Sequence, residues 1–194
     1  CATTGIGTVY NQSNIKTQDR ALVVGAGGVG LSVIVGLKTK KIKFICAYDR
    51  NVKNLHKAKE LGANQCLNSR QKINSKLKKF SKIFIATGSK SAIVDAIKLA
   101  DDNSDLYFIG VPKPKTNILI DVLHIHHGKN LHSSCGGEML PIKLIPKCMK
   151  LYKLNPHPFE KLVINEITLN ETPGYLTKMS NGEENHGRNL IKFI

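Results

Sequence analysis

Residues 21–37 form a nearly uninterrupted stretch of apolar and glycine residues, ALVVGAGGVGLSVIVGL. A membrane-spanning helix needs about twenty predominantly apolar residues. This stretch is shorter and rich in glycine, and it lies between Asp19 and Arg20 on one side and the lysine-rich residues 38–41 on the other. The sequence therefore predicts a soluble protein without a membrane partner, in which this stretch is folded into the core.

The same stretch has the pattern of a strand, a glycine loop and a helix. Residues 21–24 are a short apolar run, residues 25–30 match G-x-G-x-x-G, and apolar residues then recur at helical spacing. In such a loop Gly25 permits a tight turn, Gly27 lets the backbone approach a pyrophosphate, and Gly30 lets the helix pack against the strand. The unpaired N–H groups at the helix N-terminus then bind phosphate. A glycine turn that serves packing alone is the alternative.

A second apolar run, IKFICAYD, ends in Asp49, nineteen positions after Gly30. A carboxylate at this spacing accepts hydrogen bonds from the ribose of a bound adenosine, and it repels a 2′-phosphate. The sequence therefore favours NAD over NADP, although the neighbouring Arg50 leaves NADP open. The alternative for Asp49 is a cap of the helix that begins near Asn51.

Predicted strands and helices continue to alternate along the chain, which indicates a doubly wound parallel sheet with helices on both faces. The predicted helices are VKNLHKAKELGA, residues 72–80 and SAIVDAIKLA, and the predicted strands are QCLN, KIFIATG, LYFIGVP, TNILID and NLHSS. A short helix is predicted between the last two strands.

Beyond residue 138 the pattern changes to a helix, IKLIPKCMKLYKL, and two strands, residues 161–167 and 189–194, without evident partners. An interruption at Pro173 and Gly174 is expected between these strands. The predicted fold class is α/β, a Rossmann sheet with a C-terminal remnant of a second, β-rich domain.

Charge and cysteine content bear on the partners and the compartment. The formal net charge is +15, but the lysines are dispersed, and the one dense segment, residues 74–82, lacks the aromatic pairs that stack on nucleic acid bases. Nucleic acid is therefore not favoured as a partner. Five cysteines without a C-x-x-C pair indicate neither a disulfide framework nor a structural zinc site, so a reducing, cytoplasmic location is predicted.

Four histidines lie close together in the segment HIHHGKNLH, at positions 124, 126, 127 and 132. Two imidazoles at such spacing can bind zinc. No carboxylate or cysteine lies among them in the sequence. A metal site is therefore not the favoured interpretation of this segment.

Seven segments of this chain, in order, resemble the medium-chain, zinc-type alcohol dehydrogenase family: CATTGIG, VVGAGGVGLS, AYDRN, KAKELGANQCLN, ATGS, FIGVP and GRNLIKF. The resemblance implies that residues 1–138 are an NAD-binding Rossmann domain with a lead-in helix at its N-terminus. It also implies that residues 139–194 belong to the family's GroES-like catalytic domain, whose N-terminal region is matched by no part of this sequence.

The resemblance also implies functional residues. Cys1 corresponds to the family's last catalytic zinc ligand, and Thr4, beside the nicotinamide, is the implied catalytic residue. The implied cofactor-binding residues are Gly25, Gly27, Gly28, Val29, Gly30, Asp49, Arg50, Thr87, Ile109, Gly110, Val111 and Arg188. Zinc is expected in the intact enzyme, whereas this chain by itself is expected to hold no stoichiometric zinc and to oxidise no alcohol.

The function implied by the resemblance is NAD-dependent hydride transfer between an alcohol or an aldehyde and nicotinamide, in a homo-oligomer. Three alternatives remain open: a polyol dehydrogenase, a zinc-independent quinone reductase, and a dinucleotide-binding module without activity. Cys1 favours simple alcohols over polyols, because polyol dehydrogenases of this family typically replace that cysteine.

Overall fold

The computed structural model describes residues 1–71, 77, 79–138, 140–181, 183 and 188–193. The chain begins with helix α1 (Ala2–Gly7), which continues into a π-helical turn (Thr8–Gln12). These residues lie where the resemblance implies a lead-in helix.

A parallel sheet forms the centre of the structure. Its six strands lie in the order β3-β2-β1-β4-β5-β6, and every neighbouring pair is parallel. This order is that of a doubly wound dinucleotide-binding sheet, so the predicted fold class is confirmed. The strands are β1 (Arg20–Val24), β2 (Phe44–Asp49), β3 (Gln65–Asn68), β4 (Phe80–Ile85), β5 (Ala100–Phe108) and β6 (Asn130–Ser133).

Seven further helices follow along the chain, and two more strands form a small second sheet. The helices are α2 (Gly28–Thr39), α3 (Val52–Glu60), α4 (Lys90–Leu99), α5 (Val122–His126), α6 (Pro141–Leu154), α7 (His157–Glu160) and α8 (Thr172–Ser180). The two strands, β7 (Val163–Thr168) and β8 (Arg188–Lys192), pair in parallel with each other. None of the helices in the described ranges has both the length and the apolar composition needed to cross a membrane.

The central strand β1 is buried on both sides, as expected for a strand in the middle of a parallel sheet. Because side chains alternate along a strand, Val23 belongs to one hydrophobic cluster and Leu22 to the other. The first cluster contains Ile6 of α1, Leu31 of α2 and Phe84 of β4. The apolar stretch of residues 21–37 thus belongs to the core between the sheet and the helices packed on it.

The C-terminal segment contributes to the first of these clusters. Leu144 and Cys148 of α6 and Leu162 beyond α7 are buried in it, together with Ile6 and Val9 near the N-terminus. The division of the chain at residue 138 stays a prediction, although side chains from both sides of it share this core.

Two details of the predicted secondary structure are wrong. Residues 116–121 form no strand, because β6 pairs directly with β5. Pro173 and Gly174 do not interrupt the chain but lie in the first turn of α8. Proline is compatible with that turn because the N–H it lacks would have no partner inside the helix.

Two further predictions fall partly on residues outside the described ranges. The basic helix predicted over residues 72–80 lies mostly among them, and its last residue, Phe80, begins strand β4. The strand predicted over residues 189–194 is described as far as Phe193 and corresponds to β8.

Candidate functional site

A cleft of about 1220 Å³ lies where the strands of the large sheet end and their following loops begin. Its walls include Gly25, Gly27 and Gly28 after β1, residues 48–52 at the end of β2 and beyond it, residues 86–89 after β4 and residues 110–111 after β5. In open parallel sheets, ligands bind in the crevice at the carboxyl ends of the strands. The cleft is therefore the candidate site.

Three glycines of the loop after β1 have different surroundings. Gly25 has a φ of +88°, a left-handed conformation that favours glycine, and its N–H donates to the carbonyl of Tyr48 at 2.8 Å. A Cβ at Gly30 would lie 1.8 Å from the carbonyl oxygen of Gly25, so the helix could not approach the loop with any side chain there. A Cβ at Gly27 would have no atom within 4 Å. The space in front of Gly27 is open to a ligand.

Gly27 is also the N-cap residue of α2, and Gly28 begins that helix. Both line the cleft, so the unpaired N–H groups of the first turn lie beside it. Arg188, the first residue of β8, reaches the same place, because a Cβ at Gly28 would lie 2.7 Å from Arg188 Nε. A helix N-terminus and a guanidinium group thus meet at one wall of the cleft, an arrangement suited to an anion.

Asp49 stands at the end of β2, and its carboxylate accepts three hydrogen bonds. Oδ2 accepts from the N–H of Ala26 at 2.7 Å and from Asn54 Nδ2 at 3.2 Å, and Oδ1 accepts from the N–H of Asn51 at 2.8 Å. The cap of α3 is Asn51, whose side chain accepts from the N–H of Lys53. The alternative of Asp49 as the cap is therefore wrong, and Asp49 instead ties the glycine loop to the start of α3.

The loops after β4 and β5 are packed on each other through glycine. A Cβ at Gly110 would lie 2.4 Å from the backbone nitrogen of Thr87. The N–H groups of Ile109 and Gly110 both donate to the carbonyl of Ile85 at 2.9 Å. Ile109 is 8% exposed, whereas Val111 is 89% exposed and lines the cleft. At this end of the cleft the backbones of the two loops are in close contact, and the Val111 side chain is exposed to solvent.

Most of the residues expected to bind the cofactor do line the cleft: Gly25, Gly27, Gly28, Asp49, Arg50, Thr87, Gly110, Val111 and Arg188. Val29 and Gly30 lie behind it in the first turn of α2, and Ile109 is buried beneath it. Thr4 lies in α1 and is not among the lining residues. Its carbonyl accepts a hydrogen bond from the Thr8 hydroxyl at 2.9 Å.

Cys1 lies next to the cleft, where its sulfur accepts a hydrogen bond from Arg188 Nε. Within the described residues, no group of three or more His, Cys, Asp or Glu side chains could hold a metal ion. The histidines of residues 124–132 have other neighbours: His132 Nε2 lies 2.9 Å from Asp105 Oδ1, and His127 Nδ1 lies 3.7 Å from Asp102 Oδ1.

Several lining residues are not predicted from the sequence, and Tyr48 and Asp95 are two of them. The Tyr48 hydroxyl donates to Asp95 Oδ2 at 2.6 Å. Burial, the hydrogen bond and the negative charge of Asp95 all raise the pKa of this hydroxyl, so it stays a donor. The only indication in the sequence is that a tyrosine, with its hydroxyl group, precedes Asp49. The partner of this hydroxyl, Asp95, is 47 positions away in the sequence.

Residues 28–153 match the family described as zinc-binding dehydrogenase. The chain belongs to the zinc-binding dehydrogenase family. The resemblance to zinc-type medium-chain alcohol dehydrogenases is thereby confirmed, and the chain is a member of a family of oxidoreductases.

Individual relatives match this chain over different shares of its length. Alcohol dehydrogenase class-2 isozyme 2 of Oryctolagus cuniculus is 28% identical over 192 residues, which cover 93% of this chain and 50% of that protein. S-(hydroxymethyl)glutathione dehydrogenase of Synechocystis sp. is 41% identical over 66 residues, 34% of this chain and 18% of that protein. The chain spans about half the length of the relatives that it matches over most of its own length.

Solved structures share the fold. Benzyl alcohol dehydrogenase from Acinetobacter calcoaceticus superposes with a TM-score of 0.90 at 24% identity, covering 100% of this chain and 54% of that one. An alcohol dehydrogenase from E. coli, solved with NADH, has a TM-score of 0.80 at 22% identity, covering 99% of this chain and 57% of that one. These likenesses support the description of the fold.

Proposed function

We propose that this chain is the NAD-binding part of an alcohol dehydrogenase-like oxidoreductase, which transfers hydride between nicotinamide and an alcohol or an aldehyde. The observation that carries the proposal is the open space in front of Gly27, at the N-terminus of α2, in a cleft that also contains Asp49 and Arg188. Membership of the zinc-binding dehydrogenase family supports the reaction class.

The residues of the cleft fit a dinucleotide. The N–H groups at the start of α2 and the guanidinium of Arg188 would hold the pyrophosphate, since both carry positive charge at one wall. The Asp49 carboxylate would accept from the ribose hydroxyls while the N–H of Ala26 holds it in place. Gly110 and Val111 would border the nicotinamide end. Bound NAD supplies the hydride acceptor, and the chain orients it.

Zinc does not fit the described residues of this chain. A catalytic zinc takes about three protein ligands, whereas Cys1 is the one expected ligand here, and its sulfur is engaged by Arg188. No group of three ligating side chains exists elsewhere in the described ranges. A zinc ion would therefore need ligands from outside the described residues.

The proposal is tested by titrating the chain with NADH and following the fluorescence of the bound nicotinamide. Saturable binding is expected, and NADPH should bind more weakly, because a 2′-phosphate would meet the Asp49 carboxylate as a like charge. No binding at millimolar NADH would contradict the proposal. Tighter binding of NADPH would favour the quinone reductase alternative instead.

Asp49→Ala should weaken NADH binding by about 1–3 kcal/mol, because the ribose hydroxyls lose a charged acceptor and the glycine loop loses the bond to Ala26. The dissociation constants of both forms, measured by the same titration, check this. Asp101→Ala is the matched control, since Asp101 is exposed and lies outside the cleft lining. An unchanged constant for Asp49→Ala would leave Asp49 with a purely structural role.

Metal analysis should find no stoichiometric zinc in the purified chain, and neither ethanol nor benzyl alcohol should be oxidised with NAD. The reason is that Cys1 alone cannot provide the roughly three ligands that a catalytic zinc requires. One tightly bound zinc per chain would contradict this expectation. His124, His126, His127 and His132 would then be the first ligands to replace.

The compartment and the oligomeric state are also proposals. All five cysteines are free, which supports a reducing compartment such as the cytoplasm. A homo-oligomer is supported by the edge strand β6, where the apolar Leu131 is 43% exposed. Light scattering of the purified chain would measure the number of copies.

A further inference from the structure

Helix α4 forms one wall of the cleft near Asp49. Its residues Ser91, Ala92 and Asp95 line the cleft, and the loop after β2, residues 50–52, lines it as well. Tyr48, next to Asp49 at the end of β2, also lines the cleft. Because Tyr48 precedes Asp49 in the chain and contacts Asp95, a planar group beyond the ribose that Asp49 would bind would lie on the side of the cleft formed by α4.

The Asp95 side chain is held in one orientation. Oδ2 accepts the hydrogen bond from Tyr48 at 2.6 Å, and the Tyr48 side chain is almost completely buried, at 2% exposed. A hydrogen bond to a carboxylate is stronger than one between neutral groups. Asp95 itself is half-buried at the cleft wall, so its position is set before any ligand arrives.

The second oxygen of this carboxylate, Oδ1, receives no hydrogen bond from any donor in the described part of the chain. Nor does a lysine or an arginine of that part form an ion pair with Asp95. A ligand group that donates to this oxygen would form a hydrogen bond to a charged acceptor for which no donor of the described residues competes. The cleft thus presents a fixed hydrogen-bond acceptor to the base end of a dinucleotide.

We propose that Asp95, positioned by Tyr48, is a specificity residue that recognises the exocyclic amino group of adenine. This inference rests on the proposed binding of NAD in the same cleft. Adenine carries an amino donor at C6, whereas hypoxanthine carries a carbonyl oxygen there, which would face the carboxylate oxygen as a second acceptor. Asp95 therefore favours an adenine dinucleotide over the hypoxanthine analogue.

The test compares NADH with reduced nicotinamide hypoxanthine dinucleotide, which differs only in the base. The unmodified chain should bind NADH at least about tenfold more tightly, as expected when a hydrogen bond to a charged group is lost. Asp95→Asn should remove or reverse this ratio. The amide oxygen can still accept from Tyr48, while the amide NH₂ group donates to the carbonyl oxygen of hypoxanthine.

Two further variants separate recognition of the base from a structural role. Tyr48→Phe should lower the ratio, because Asp95 loses the bond that orients it. Asp101→Asn, a matched change outside the cleft, should leave the ratio as in the unmodified chain. Thermal unfolding of each variant verifies that it is folded, and because a ratio of two ligands is compared, a general loss of affinity does not imitate the effect.

Equal affinities of the unmodified chain for the two dinucleotides would overturn the assignment of Asp95 while leaving the proposed function intact. An undiminished ratio in Asp95→Asn would overturn it as well. A failure to bind NADH in any form would instead overturn the proposed function, and this inference with it.

Discussion

Replacing Gly27 by valine should abolish NADH binding and leave the fold unchanged. A Cβ at this position meets no atom within 4 Å, so the added side chain displaces nothing in the protein. The backbone of Gly27, with φ −78° and ψ −169°, is extended and accessible to valine. The new methyl groups would fill the space proposed for the pyrophosphate, which should weaken binding by at least about 100-fold.

The matched control for this change is Gly174→Val. Gly174 also has open space where a Cβ would project, but it lies in α8 and is not among the cleft-lining residues. Titration with NADH and circular dichroism of both variants separate loss of binding from loss of structure. If Gly27→Val still bound NADH normally, the loop would be a packing turn and the cleft would need another ligand.

Gly30→Ala should produce the opposite outcome, a loss of stability. A Cβ at this position would lie 1.8 Å from the Gly25 carbonyl oxygen and 3.3 Å from a side-chain carbon of Val23. The first of these atoms belongs to the backbone, so α2 must move away from β1. Overpacking of a buried site typically costs about 1–3 kcal/mol and occasionally more, and we expect about 3 kcal/mol here. Urea denaturation measures the loss.

Gly27→Ala is the control for Gly30→Ala, because it adds the same methyl group to the same loop in open space. Its midpoint of unfolding should stay close to that of the unmodified chain. For a domain of this size, 1 kcal/mol corresponds to a shift of about 2–4 °C in the melting temperature. Equal melting temperatures for Gly30→Ala and the unmodified chain would show that the helix does not need to approach the loop so closely.

The sheet and the glycine loop could be predicted from the sequence because their signals are local. The apolar runs that became β1 and β2 are continuous, as strands buried on both faces require. The glycines at positions 25, 27 and 30 match the G-x-G-x-x-G spacing, which alone indicates how closely the helix, the loop and the strand approach one another. Asp49 could be predicted as a site residue because it lies nineteen positions after Gly30, the last glycine of that loop.

The local sequence pattern predicts the wrong structure where contacts with distant segments decide which element forms. Residues 116–121 have the composition of a strand, yet β6 takes the position beside β5, and Ile118 and Ile120 instead pack half-buried on the core. The sequence predicts an interruption at Pro173, but at the start of a helix its missing N–H has no cost. Neither outcome can be derived from composition, since each depends on which neighbour is available.

The sequence by itself determined the alternation of strands and helices in the large sheet as far as β5, the family and the glycine loop, because each follows from residues close together in the chain. The tertiary structure alone decided how distant side chains meet at the cleft. Arg188, which the resemblance implies as a cofactor-binding residue, reaches the start of α2 from 160 positions away, counted from Gly28, and Tyr48 meets Asp95, 47 positions further along the chain. Such contacts have no local pattern, because they arise when the parallel sheet brings the ends of its strands to one edge.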